Sequence, residues 1–223
     1  MGWPWRLVLV RHAESEGNVL GVDERALCGI ATHSYKLTET GRKQAEITGR
    51  YLQEKFGDFD IYYTSYYTRS KETMSIMYPK AHIYEDPRLA EGQRGIWQTM
   101  TEDEIKTFYP GELKRKEREG LYHYRPWGGE NWPDMELRIH SFLETLNRDC
   151  DGQKVLIVVH GHWLILFQKL IHHFSIKSAL DKYRAGTARN ASVAIYRGAV
   201  NEENKKSRLV LSGENITPWL GKI

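Results

Sequence analysis

Short apolar runs, each followed by a mixed polar segment, recur along the chain and predict an alternation of strands and helices. The run from Val155 to Val159 is continuous, apolar and rich in β-branched residues, which is typical of a central strand covered on both faces. Shorter runs predict five more strands: Trp5–Val10, Phe59–Thr64, Ala81–Tyr84, Ala191–Tyr196 and Arg208–Leu211. The tail from Asn215 is weakly specified.

Between these runs, apolar residues at helical spacing predict helices. Ala45, Gly49 and Leu52 keep this spacing, which predicts a helix that runs to about Lys55 and ends before Gly57. Further helices are predicted ahead of Pro79, from Pro133 onward and over Trp163–Phe174. Strands that alternate with helices in this way predict an α/β fold, a three-layer α/β/α sandwich with a mostly parallel central sheet.

Residues from about 86 to 132 interrupt the alternation with polar, aromatic and strongly charged sequence. Such a segment predicts short helices that lie over one end of the sheet, as a lid would. We found no repeat or linker elsewhere, so residues 1–223 are expected to form a single domain with this one lid-like insertion.

Charge and composition narrow the range of partners. The net charge of +3 is too small to indicate nucleic acid or an anionic membrane surface as the main partner. No apolar run is long enough to cross a bilayer, and the first residues do not resemble a signal peptide, so we expect a cytoplasmic protein. Cys28 and Cys150 lack metal-ligand spacing and are expected to be reduced thiols.

Basic residues follow three of the predicted strands. Arg11 and His12 come directly after the first strand, Arg69 follows the second, and His160 follows Val159. Because the carboxyl ends of parallel strands meet at one edge of a sheet, these side chains are expected to lie together. Forked guanidinium groups and an imidazole suit the charge and geometry of a phosphoryl group.

Six motifs, in a fixed order, resemble those of the histidine phosphatase superfamily (branch 1), also called the phosphoglycerate mutase-like family. They are Leu9–Asn18, Leu37–Ala45, Ser65–Arg69, Leu89–Trp97, Gly128–Asn131 together with Arg138, and Val158–Gly161. One such motif alone is common by chance, but their joint order along most of the chain is not.

The resemblance implies a role for each matching residue. His12 would accept the phosphoryl group, and Glu91 would protonate the leaving oxygen and later take a proton from water. The implied phosphate-binding groups are Arg11, Arg69, His160, Asn18 and the backbone amide of Gly161. Taken singly, several of these residues suit ordinary structural roles: a surface ion pair, a solvated carboxylate, a turn or a helix cap. His162 is unusual after His-Gly, and either a substrate contact or no role is compatible with its position.

Two reaction types remain open within the resemblance. Phosphoglycerate mutases that use 2,3-bisphosphoglycerate as cofactor carry a basic insertion, but here the basic residues between Lys114 and Glu119 alternate with acids, which is typical of a solvated helix face. A Gly-Glu-Asn sequence at 129–131 stands where the family has Gly-Glu-Ser. We therefore predict a phosphatase for phosphomonoesters, with a phosphoglycerate mutase as the alternative and a catalytically silent domain that binds phosphorylated ligands or proteins as a third reading.

The predicted chemistry requires no metal ion and no other cofactor, and activity should withstand chelators and fall with vanadate. The expected partner is a small phosphorylated substrate or a phosphoprotein, and the family is compatible with a homodimer. Six aromatic residues of the insertion are candidates either for substrate contact or for packing: Trp97, Tyr109, Tyr122, Tyr124, Trp127 and Trp132.

Overall fold

The apolar runs form the six strands of one sheet in a computed structural model that describes residues 2–200 and 207–223. The strands are β1 (Arg6–Arg11), β2 (Ile61–Thr64), β3 (Ile83–Glu85), β4 (Lys154–Val159), β5 (Val193–Val200) and β6 (Ser207–Ile216). Their order across the sheet is β3-β2-β4-β1-β5-β6. β3, β2, β4 and β1 pair in parallel, whereas β5 is antiparallel to both of its neighbours, so the mostly parallel sheet is confirmed.

Nine helices accompany the sheet within the described residues. They are α1 (Glu16–Val19), α2 (Val22–Leu27), α3 (Glu39–Phe56), α4 (Thr68–Met77), α5 (Glu102–Phe108), α6 (Pro110–His123), α7 (Trp132–Asp149), α8 (Gly161–His172) and α9 (Ile176–Arg184). Short 3₁₀ turns lie at Thr32–Ser34, Pro87–Leu89 and Gly95–Gln98. None of these helices is both long and apolar enough to cross a membrane.

Side chains of β1 point alternately to the two faces of the sheet, and different helices cover each face. Val8 and Val10 point into a cluster with residues of α3 and α4, such as Leu52 and Met74. Leu7 and Leu9 point into the opposite cluster, which holds apolar residues of α7 and α8: Met135, Ile139, Phe142, Leu143, Leu146, Trp163, Leu164, Ile165, Leu166 and Phe167. Because both faces are buried, the central strands are apolar throughout, and the three-layer prediction is confirmed.

The last strands differ most from the sequence prediction. β5 reaches Val200, and β6 extends to Ile216, so the segment after Leu211 that periodicity left unassigned pairs with β5. α9 was not predicted, because its pattern mixes apolar and charged residues. The insertion at about 86–132 contains α5 and α6, and α6 changes direction at Gly120, where φ is +69°.

Close packing of α3 holds the loop that follows β1. Thr38 donates through Oγ1 to Glu14 Oε1 at 2.7 Å, and the Glu14 amide donates to Gln44 Oε1 at 2.9 Å. The helix approaches so closely that a Cβ at Gly41 would lie 1.9 Å from the Glu14 carbonyl oxygen. The motif at 37–45 therefore fixes the backbone directly after His12.

The close approach of Gly41 to Glu14 predicts that a side chain at position 41 lowers the stability of the protein. Gly41→Ala should lower the free energy of unfolding by about 2–3 kcal/mol, because the new methyl group overlaps backbone atoms that cannot rotate away. Urea unfolding followed by circular dichroism measures the change. Gly111→Ala is the matched control, since Gly111 also lies in a helix but a Cβ there meets nothing within 4 Å. Equal stability of the two variants would contradict the prediction.

Candidate active site

His12 lies at the carboxyl end of β1, where its backbone amide donates to Val159 O of β4 at 2.8 Å. Its side chain is 3% exposed. The Nδ1 atom lies 2.7 Å from Ala13 O, and Arg69 Nε donates to Nε2 at 3.2 Å. A carbonyl oxygen only accepts, so Nδ1 carries the proton and Nε2 presents its lone pair.

The surroundings of His12 favour the neutral imidazole. Burial lowers the pKa of His12 well below 6.5, and the positive charges of Arg69 and Arg11 lower it further. A neutral imidazole with a fixed tautomer is the form in which histidine is a nucleophile. The structure therefore gives His12 the protonation state that phosphoryl acceptance requires.

Arg69 holds the centre of the site from the first turn of α4. Its Nε donates to His12, its Nη1 donates to Thr32 O at 2.7 Å, and its Nη2 donates to His160 Nδ1 at 3.3 Å. The guanidinium carbon also lies 4.6 Å from the ring centre of Tyr67. Burial lowers the pKa of Arg69 to about 10, with Glu91 opposing the shift, so the group stays charged at neutral pH.

His160 follows β4 and is fully buried. Its Nδ1 accepts from Arg69, which places the proton on Nε2, 2.7 Å from Ser65 Oγ. Burial lowers the pKa of His160 well below 6.5, and Arg69 adds to this shift. In the structure His160 is therefore a neutral acceptor that orients Arg69.

Arg11 lies on the other side of His12. Its Nη1 donates to Thr187 Oγ1 at 3.1 Å and to the Ala188 carbonyl. Its Nε is buried and has no hydrogen-bond partner among residues 2–200 and 207–223. Burial lowers the pKa of Arg11, against the opposing charge of Glu91. An unpartnered N–H donor beside the nucleophile is suited to an anionic ligand.

Glu91 faces these cations from the loop after the Pro87–Leu89 turn. Its Oε1 accepts from the Gly92 amide at 3.0 Å, and its Oε2 accepts from the His162 amide in the first turn of α8 at 3.3 Å. The carboxylate is thus held across the site from the arginines by two backbone amides, one of them at a helix N-terminus.

A half-buried ion pair is joined to the segment directly before Glu91. Arg138 donates Nε to Glu130 Oε1 at 2.8 Å, and its Nη1 donates to Arg88 O and Ala90 O at 2.8 and 2.7 Å. Asn131, which replaces the serine of the family motif, caps α7 by accepting from the Asp134 amide at 2.9 Å. The departure at 129–131 therefore keeps a capping residue and leaves the loop anchored.

Asn18 and Gly161 occupy the edges of the site. Asn18 Oδ1 accepts from the Ser15 amide at 3.0 Å and from Asn190 Nδ2 at 3.2 Å, so its own amide N–H groups are the part available to a phosphate. Gly161 begins α8 against Thr187, where a Cβ would come within 2.8 Å of that side chain.

The predicted residues share one cavity of about 600 Å³, within the range of small-molecule sites. The cavity is lined by Arg11, His12, Asn18, Arg69, Glu91 and Gly161. His160 does not line it and contacts it through Arg69. No group of three metal-ligating side chains is arranged to hold a metal ion in the part of the chain that the structure describes.

Sequence reasoning missed the residues that position the predicted ones. Thr32, Thr187 and Ala188 hold the guanidinium groups through hydrogen bonds, and Asn190 donates to His12 O at 3.0 Å. They come from loops without a motif, and two of the bonds use backbone oxygens that any residue supplies. Ser65 lay inside a recognised motif, and its place directly after the predicted strand Phe59–Thr64 was the available signal.

A neutral histidine, two guanidinium groups and a carboxylate at one edge of a mostly parallel sheet define a site for phosphoryl transfer. The sequence pattern of the histidine phosphatase superfamily (branch 1) matches residues 7–207. The chain belongs to this superfamily.

Individual relatives include both hydrolases and mutases. The chain is 30% identical to phosphoserine phosphatase 1 of Hydrogenobacter thermophilus over 157 residues. The aligned region covers 70% of each protein. It is also 30% identical to a 2,3-bisphosphoglycerate-dependent phosphoglycerate mutase of Methylobacterium radiotolerans, over 71% of this chain and 74% of the mutase. The α-ribazole phosphatase of Shigella flexneri shares the fold with a TM-score of 0.74 at 20% identity, over 95% of this chain and 97% of that one.

Because His12 and His160 are neutral in the folded protein, we expect the protein to lose stability in mild acid. Their pKa values lie below 6.5 in the folded protein, so the unfolded chain binds more protons as the pH falls through 6.5. Each group should then remove roughly 1.4 kcal/mol of unfolding free energy per pH unit. Urea unfolding at pH 7.5 and 5.5 measures this.

His12→Asn is the matched variant, because asparagine keeps an N–H donor for Ala13 O but does not titrate. Its stability should fall by roughly 1.4 kcal/mol less than that of the wild type over the same pH range. Identical pH dependence of the two proteins would show that His12 is not held neutral.

Proposed function

We propose that the protein is a phosphatase that hydrolyses a phosphomonoester through a phosphohistidine at His12. The observation that carries the proposal is the His12 Nε2 lone pair, which accepts from Arg69 in a cavity that Arg11 and Glu91 also line. Negative charge spreads over the equatorial oxygens in phosphoryl transfer, and two guanidinium groups offset that charge.

In the first half-reaction, the Nε2 lone pair attacks phosphorus and a P–N bond forms. The P–O bond to the leaving group breaks, and protonated Glu91 gives its proton to the departing oxygen, which leaves as an alcohol. Arg69 shifts its Nε–H from His12 to a phosphoryl oxygen. The Ala13 carbonyl continues to accept from Nδ1, which stabilises the cationic phosphohistidine.

In the second half-reaction, water attacks phosphorus and transfers a proton to the Glu91 carboxylate. The P–N bond breaks, and its electron pair returns to Nε2. The products are inorganic phosphate, neutral His12 and protonated Glu91, so the cycle closes with ester and water converted to alcohol and phosphate. This sequence needs neither a metal ion nor another cofactor.

Ion pairing within α6 favours hydrolysis over the mutase reaction. Arg115 pairs with Glu112 and Glu119, and Arg118 pairs with Glu119 at 3.4 Å, so these cations are neutralised along their own helix. Lys116 lies at the cavity wall, with its ammonium 4.1 Å from the centre of the Trp97 ring, and Arg25 and Arg94 also line the cavity. The paired arginines of α6 are therefore not free to enclose a doubly phosphorylated cofactor.

The phosphoenzyme tests the proposal. Wild-type protein mixed with a panel of phosphomonoesters should release inorganic phosphate and, on rapid quenching, carry an acid-labile phosphoryl group at His12. His12→Asn should lose both, with phosphate release reduced at least about 10³-fold because the nucleophile is gone. His140→Asn, on the exposed face of α7, is the control.

Two outcomes would overturn the phosphatase reading. Incubation with 3-phosphoglycerate and a trace of 2,3-bisphosphoglycerate could yield 2-phosphoglycerate faster than free phosphate, and the mutase alternative would then hold. Absence of any phosphoenzyme, with equal phosphate release by wild type and variant, would favour a domain that only binds phosphorylated ligands.

The loss of kcat/KM in Glu91→Gln should depend on the leaving group of the substrate. For alkyl phosphates, kcat/KM should fall by about 10²–10⁴-fold, because an alkoxide needs the proton that Glu91 supplies. For p-nitrophenyl phosphate the fall should be much smaller, because p-nitrophenolate leaves without protonation. Glu117→Gln, an exposed carboxylate of α6, should change neither value. A uniform loss for both substrate types would refute the acid role.

A further inference from the structure

His162 occupies a position in the cavity that the reaction leaves unused. Its ring packs against two aromatic side chains, with its centre 4.5 Å from that of Trp132 and 5.3 Å from that of Tyr183. Its backbone amide donates to Glu91, so the side chain begins directly beside the acid/base carboxylate. Groups that meet this ring belong to the leaving group and not to the phosphoryl group.

The imidazole of His162 lacks hydrogen bonds within the described residues. Nε2 is sealed from solvent without a partner, while Nδ1 remains in contact with the cavity on the side of Gly92. Because Nε2 is sealed, a ligand group in the cavity can complete the hydrogen bonding of the ring only at Nδ1.

Charge indicates which ligand group fits. Burial lowers the pKa of His162, so the ring is neutral, with one N–H donor and one lone pair. Opposite charges act on the ring, Glu91 and Glu130 against Arg138 and Arg94, so the surroundings do not single out a charged ligand group. A hydroxyl group both donates and accepts, so it matches a neutral imidazole in either tautomer.

We infer that His162 is a specificity-determining residue that hydrogen-bonds a hydroxyl of the leaving group, so that the substrate is the phosphate ester of a polyol such as a sugar. The inference rests on the proposed phosphatase function. The size of the cavity and its aromatic walls at Trp97 and Tyr124 accommodate a sugar ring. A site built to bond a hydroxyl discriminates against analogues that lack it.

Matched pairs of esters test this inference. Each pair has the same carbon skeleton with and without hydroxyl groups: glycerol 3-phosphate with propyl phosphate, ribose 5-phosphate with cyclopentylmethyl phosphate, and glucose 6-phosphate with cyclohexylmethyl phosphate. For at least one pair, wild type should prefer the polyol ester by more than tenfold in kcat/KM. His162→Phe keeps the aromatic packing and should reduce that ratio at least tenfold.

Because the readout is a ratio, a partial loss of folded protein affects both members of a pair equally. His140→Phe, the same change on an exposed helix surface, should keep the wild-type ratio. A wild-type ratio near one for all pairs, or a ratio that His162→Phe leaves unchanged, would overturn this inference alone. Wild-type protein without activity toward any ester, p-nitrophenyl phosphate included, would overturn the proposed function and the inference with it.

Discussion

Arg69 makes one interaction on which the rest of the site depends: its guanidinium donates to both histidines, to His12 Nε2 at 3.2 Å and to His160 Nδ1 at 3.3 Å. Burial lowers the pKa of both imidazoles, and this single planar cation lowers it further and donates to one nitrogen of each ring. If the Arg69 charge were removed, both lone pairs would be buried without a donor. The nucleophile, its orientation and the positive field around it are therefore one connected arrangement.

Sheet topology explains why this arrangement can form. β4 lies between β1 and β2, and all three are parallel, so His12, Ser65 and His160 emerge at the same edge from neighbouring strands. The pairing of Arg11 with Val159 sets His12 level with His160. A shift of one residue along β1 would turn His12 to the other face of the sheet and separate it from Arg69.

The central strands and the basic residues that follow them were accessible from sequence, because a buried parallel strand is apolar along its whole length and the residue after it lies at the sheet edge. Glu91 and Asn18 were identified only through the family resemblance. The spacing of apolar residues was less informative for α9 and for the edge strand β6. α9 carries alternating charges and buries only Ala179 completely, so its pattern resembles that of a loop. β6 continues past Leu211 because it pairs with β5, and such pairing leaves no local signal in a polar edge strand.

Within the site, sequence identified which residues meet but not their protonation states. His160 was predicted as a phosphate-binding group, and in the structure its full burial beside Arg69 makes it a neutral acceptor. Such a result depends on the distances between groups that are 91 residues apart along the chain. Likewise, the partners of Arg11 lie in a loop 176 and 177 residues away, beyond the reach of any local pattern.

Burial of Arg11 and Arg69 costs stability, but it provides the positive charge that binds phosphate. Arg11 and Arg69 are both taken out of water, which lowers their pKa values, and Glu91 offsets only part of that cost from across the cavity. A phosphate dianion supplies the missing negative charge, so ligand binding relieves a cost that folding has already incurred. Replacing either arginine by an uncharged residue would remove charge that draws phosphate toward His12.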